Sequence, residues 1–140
     1  MTYAICKKAS LVFFATQFLV LSFSCKTPEQ YVVNSWKVEK FQPGTDFSGS
    51  PKHMEVFKDF EQHAKFDING DGTYSFDFGG NMQKGKWAFD RKKMILTTTD
   101  ENGVATISKV IELQPGKLVL EQEDKGVRNV ITLVPKGQSR

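Results

Sequence analysis

Phe66–Asp90 reads FDINGDGTYSFDFGGNMQKGKWAFD, and the alternation within it decides the fold. Phe66 and Ile68 flank Asp67. Tyr74, Phe76 and Phe78 alternate with Ser75 and Asp77, and Trp87 and Phe89 enclose Ala88. Successive side chains of a strand point to opposite faces, so each run buries one face and wets the other. Between the runs, Asn69-Gly70-Asp71-Gly72 and Gly79-Gly80-Asn81 supply residues that tolerate the positive φ of tight hairpins. Three consecutive antiparallel strands are expected, over His63–Ile68, Thr73–Phe78 and Lys84–Asp90.

The same reading extends in both directions. Downstream, Arg91-Lys92 turns into a strand over Lys93–Thr99, and Asp100-Glu101-Asn102-Gly103 into one over Val104–Leu113. Pro115-Gly116 leads into Lys117–Glu123, and Asp124-Lys125-Gly126 into Val127–Val134, before Pro135 and a polar tail over 137–140. Upstream, Ser50-Pro51 reads as an N-cap followed by proline at the first helical position, and Met54, Phe57 and Phe60 recur every third residue. A helix over Pro51–Gln62 follows; the competing reading extends the next strand back through Phe60, Gln62 and Ala64. In either case the apolar side must cover something, and an end of a barrel is the candidate. Gln42–Gly49 is a loop, and Val33–Phe41 is the first strand, with Trp36 and Val38 on one face. The fold class is therefore all-β. Eight strands in hairpin sequence leave two raw edges unless they close, so an eight-stranded antiparallel up-and-down barrel with one short helix is preferred over a two-sheet sandwich. No helix-strand alternation supports a parallel α/β fold.

Residues 1–24 are a separate matter. Lys7 and Lys8 precede an apolar run from Ala9 to Phe23, the layout of a secretory signal. Ser24-Cys25 at its end resembles the lipobox of bacterial lipoproteins, with Ser22 where leucine is usual and Leu21 displaced by one. That resemblance implies lipidation of Cys25, a tether over 25–32 and a lipid-anchored place in the bacterial cell envelope; an ordinary cleaved signal and an uncleaved anchor are the alternatives. Removal of residues 1–24 discards Cys6, so the barrel over 33–136 has no thiol for a disulfide, a metal or nucleophilic attack. Seventeen basic and all 16 acidic residues lie beyond position 24, a net of +1. The lysines are scattered among acids, so no nucleic-acid footprint is present. A monomer is expected.

Trp36, FDINGDGTYSF, GKWAFD, KMILTTTDENG, KLVLEQED and VITLVPK together resemble the small lipocalin-like lipoproteins of Bacteroidetes-type bacteria, over roughly Val33–Lys136. The pairing of DGTYSF with GKW a dozen residues on is the most specific part; Asn34 stands where the family has a small residue or glycine. The resemblance implies a tethered eight-stranded barrel holding a small apolar molecule. It adds fold more than function.

No catalytic or cofactor motif is complete. Asp67–Gly72 matches the opening of a calcium loop, but position twelve is Phe78 rather than glutamate, and strands flank it; a hairpin turn is the plainer reading. Gly80–Lys86 has the spacing of a phosphate-binding loop, yet Trp87 follows where Ser or Thr is needed. Gly85 is better read as a bulge or a close approach. His53 and His63, the only histidines, lack the further ligands catalytic zinc requires, and Ser48 and Ser50 sit in no nucleophile elbow. No metal site, cofactor or enzymatic activity is expected. The aromatic set is the open question. Trp36, Phe66, Phe76, Trp87, Leu96 and Ile107 are the expected lumen residues, with the Pro51–Gln62 segment a lid. They either line a cavity for one small hydrophobic ligand or simply fill an eight-stranded barrel, which is barely wide enough for its own side chains.

Overall fold

A computed structural model describes residues 25–44 and 50–137. In chain order they form α1 (Pro28–Val32), β1 (Asn34–Gln42), α2 (Pro51–His63), β2 (Lys65–Ile68), β3 (Thr73–Phe78), β4 (Asn81–Asp90), β5 (Ile95–Asp100), β6 (Ala105–Gln114), β7 (Lys117–Asp124) and β8 (Val127–Pro135). Each strand pairs antiparallel with the next, and β8 closes on β1 through Trp36↔Pro135 to Gln42↔Val130. The expected closed eight-stranded up-and-down barrel is what forms, and the sandwich is excluded. The signal segment, residues 1–24, lies outside the described residues, as do most of the 42–49 loop and the last three residues of the tail.

Hairpin chemistry explains the tight connections. Gly79 and Gly80 adopt φ of 61° and 82°, the left-handed pair that a two-residue hairpin between β3 and β4 demands. At Gly85 the constraint is space: a Cβ there would collide with the Thr99 carbonyl oxygen and sit 2.8 Å from Asp100 Cα. Close approach of the neighbouring backbone, rather than a bulge, is why this position is glycine. Two bulges lie elsewhere, where the register shifts between Val38 and Lys40 in β1 and between Val110 and Glu112 in β6. Each inserts one residue and flips the alternation, so Val38 and then Phe41 face inward on β1, and Val110 and then Leu113 on β6.

At the barrel's ends one expectation is corrected and one choice is decided. The tether over 25–32 is shorter than expected, because Pro28–Val32 is helical. Thr27 N donates to Gln30 Oε1 at 3.0 Å to start that turn, and Val32 is fully buried. The Trp36 indole donates to the Val32 carbonyl at 2.9 Å, so an apolar side chain and a buried hydrogen bond fix α1 to the barrel. At the other end α2 runs to His63, which removes the reading that carried a strand back through Phe60. Pro51 occupies its first turn, and the amides of His53 and Met54 point back to the Ser50 carbonyl.

Strands alternate in direction, so each end collects alternate connections. α1, the β2–β3, β4–β5 and β6–β7 turns and the segment after β8 share one end; α2 and the β3–β4, β5–β6 and β7–β8 turns share the other. The core lies between them, built on Trp36, Val38, Ile68, Leu96, Val110, Leu118, Leu120, Ile131 and Leu133. Fully buried Trp36, Leu118 and Leu133 plug the lumen with the chain's own side chains.

Candidate functional site

The chemistry of the α2 end differs from that plug. α2 has no buried residue, and it touches the barrel chiefly through β1 and β3. Phe57 and Phe60, three apart and so on one helical face, make the contact. The Phe41 ring lies 5.1 Å from Phe57 and 5.3 Å from Phe60, and Phe60 meets Phe78 edge-on at 5.3 Å and Phe76 at 6.2 Å. One polar clamp joins them, from the Phe41 amide to Glu61 Oε1 at 2.7 Å. Between helix and rim is a crevice of about 150 Å³ lined by Phe41, Val56, Phe57, Phe60 and Phe78. Met54 and Val56 continue its apolar surface into solvent. A space of that size holds about one benzene-sized group.

Opposite this aromatic wall the inward positions turn polar toward the same end. Ser108 is buried, and Gln122, facing it across the β6–β7 pair, donates its amide to the Ser108 hydroxyl at 2.9 Å. Asn129 Oδ1 accepts from Gly44 N at 3.2 Å, which draws the β1–α2 loop over the rim. Burial pushes the Tyr74 phenol above its ordinary range, with the Asp100 carboxylate adding to the shift and the Thr98 hydrogen bond opposing it. Asp100 is held below its ordinary value chiefly by the Val104 amide, which it accepts at 2.8 Å. A separate, open groove of about 700 Å³ on β3–β5 is walled by Thr73, Ser75, Lys84, Lys86 and Thr99 among others.

The expected lumen residues divide. Trp36 and Leu96 are buried in the plug. Phe66 and Phe76 are half-buried and pack on it, their rings 4.4 Å apart. Trp87 also packs on the core, but its indole donates to the Asn69 carbonyl at 2.8 Å in the β2–β3 turn, away from α2. Ile107 is a correction: it is 63% exposed and points outward. The β5–β6 register pairs it with Thr97 while Leu96 pairs with Ser108, so the serine, not the isoleucine, faces in. Ile111 is the bulge residue, also outward. None of the five crevice residues was among the expected ligand residues; Phe57 and Phe60 are legible in the three-residue spacing, whereas Phe41 reaches the inner face only through the β1 bulge.

Cys25 is exposed three residues before α1. It is disulfide-bonded, a bond that lipidation of the same sulfur precludes. In the β2–β3 turn, Asp71 Oδ1 accepts from the Thr73 amide at 2.9 Å and hydroxyl at 2.6 Å, the bonds of a tight turn. Among the described residues no group of three His, Cys, Asp or Glu side chains could hold a metal ion, and no helix is long and apolar enough to cross a membrane.

No family profile and no curated protein matches the chain. Among solved structures, it is similar to a DUF4847 family protein from Bacteroides vulgatus, with a TM-score of 0.55 at 13% identity over 80% of this chain and 99% of that one. At that identity the likeness shows a shared fold.

Proposed function

We propose that the chain is a lipocalin-like barrel of the bacterial cell envelope, anchored by lipid on Cys25, that binds a small hydrophobic ligand between α2 and the barrel rim. The observation that carries this reading is the wholly apolar crevice of Phe41, Val56, Phe57, Phe60 and Phe78 under a helix that buries none of its own residues. The lumen is packed with core side chains, Trp36, Leu118 and Leu133 fully buried among them, so the ligand enters under the helix and its body is short. The anchor requires that processing remove residues 1–24 and that the Cys25 sulfur carry the lipid in place of its disulfide.

Displacement of an environment-sensitive dye by octanoate from the purified processed protein tests the binding. Phe57→Asp is expected to abolish displacement while leaving the barrel folded; equal displacement from both proteins overturns the site. A second reading is favoured by the filled core: a solid barrel acting as an interaction module through its loops. Absence of dye uptake and of any co-purified apolar molecule in native mass spectra supports it instead.

A further inference from the structure

The two ends of the barrel differ in charge. At the α1 end, the segments outside the strands carry five basic groups, Lys26, Arg91, Lys92, Lys93 and Lys136, all exposed, against two acidic ones, Glu29 and Asp71, a net of +3. At the α2 end, the described segments outside the strands carry three basic and four acidic groups, a net of −1. The basic turn is held in shape: Asp90 Oδ1 accepts from the amides of Lys92 and Lys93, both at 3.0 Å, while Asp90 Oδ2 lies 3.9 Å from Lys93 Nζ and offsets one of the charges, so Arg91 and Lys92 are the side chains left displayed. Lys136 is held beside the start of β1 by its amide, which donates to the Ser35 carbonyl at 2.7 Å.

We propose that this basic end is a docking face for an anionic phospholipid surface, set flat against it by the chain's own attachment point. The inference rests on the reading of Cys25 as that point and goes beyond it. Because α1 is fixed by buried Val32 and the Trp36–Val32 hydrogen bond, only Cys25, Lys26 and Thr27 separate the attachment from the barrel. Three residues span at most about 10 Å. That is about one Debye length at physiological salt, so Lys26 and α1 sit within the field of anionic headgroups, and the barrel end that carries Arg91, Lys92, Lys93 and Lys136 faces the surface, which attracts each basic residue that comes close to it. A long flexible tether would allow any orientation; this one points α2 and its crevice away from the bilayer.

The full chain, expressed in bacteria, purified in its processed form and reconstituted with vesicles of phosphatidylcholine alone or with added phosphatidylglycerol, tests this by residue-resolved acetylation with a neutral amine reagent. Lys26, Lys92, Lys93 and Lys136 are expected to label several-fold more slowly on the phosphatidylglycerol vesicles, and Lys52 and Lys58 equally on both. The difference should vanish near 1 M salt, where the Debye length falls to about 3 Å. K92E/K93E should remove the slowing at Lys136 without preventing flotation with vesicles, while Lys26, next to the anchor, stays slow. Flotation with both vesicle types but equal labelling of Lys92, Lys93 and Lys136 overturns the docking face and leaves the anchor standing. Flotation only with phosphatidylglycerol at low salt overturns the anchor and keeps the face, and no flotation with either overturns both.

Discussion

Phe60→Ala isolates what holds α2 to the barrel. Phe60 is half-buried and contacts the rings of Phe41, Phe76 and Phe78. Full burial of a phenylalanine contributes about 1.5–3 kcal/mol, so half burial contributes about 1 kcal/mol. The two edge-on contacts at 5.3 Å add about 0.5 kcal/mol each, the low end for such pairs because these rings remain partly solvated. Together they make about 2 kcal/mol, which corresponds to about a 30-fold change in the opening equilibrium of the helix. The Glu61–Phe41 clamp survives the substitution, so α2 loosens without being cut free. Native-state hydrogen exchange reads this directly. In the unsubstituted protein the amides of α2 should exchange by local opening, at lower free energy than those of β7 and β8. In the variant their protection should fall about 30-fold further. If α2 and β7 share one opening free energy across denaturant, or if the variant leaves α2 protection unchanged, α2 is not a separately hinged lid and the reasoning fails.

Other outcomes follow from single contacts. Ser108→Ala strips Gln122 of its acceptor and should cost about 1–3 kcal/mol by urea denaturation; adding Gln122→Leu should recover most of it. Trp36→Phe loses the bond to the Val32 carbonyl, and exchange of the α1 amides should accelerate more than that of β7. Gly85→Ala meets backbone rather than a movable side chain, so a drop in melting temperature larger than that of Gly80→Ala is expected, although Gly80 has the positive φ. Tyr74 has its folded-state pKa raised, principally by burial. The unfolded chain therefore ionises first, and stability should fall as pH rises from about 10 through the folded value. Tyr74→Phe should flatten that fall in pH-resolved denaturation curves.

The barrel was legible because its hairpins carry both signals at once: alternation in Tyr74–Phe78 and Trp87–Phe89, and turn residues with positive φ at Gly79-Gly80. Local pattern decided those strands, and tertiary contacts merely agreed. The site was legible in part. Ile107 misled because hydrophobicity cannot report phase when the polar Ser108 finds its partner on another strand, in Gln122. Bulges at Glu39 and Ile111 reverse the inner face midway along β1 and β6, and no turn residue announces them. α1 was hidden for a different reason: five residues ending in Val32 look like a polar leader until Trp36, four residues on, supplies the donor that fixes them.

A titration of the processed, isotopically labelled protein with octanoate, followed by aromatic and methyl NMR shifts, tests the ligand site most directly. Saturable shifts concentrated at Phe41, Val56, Phe57, Phe60 and Phe78, with Leu118 and Leu133 unmoved, are the expected result. Shifts centred on Trp36, Leu118 and Leu133, or none at millimolar ligand, would contradict a binding site under α2.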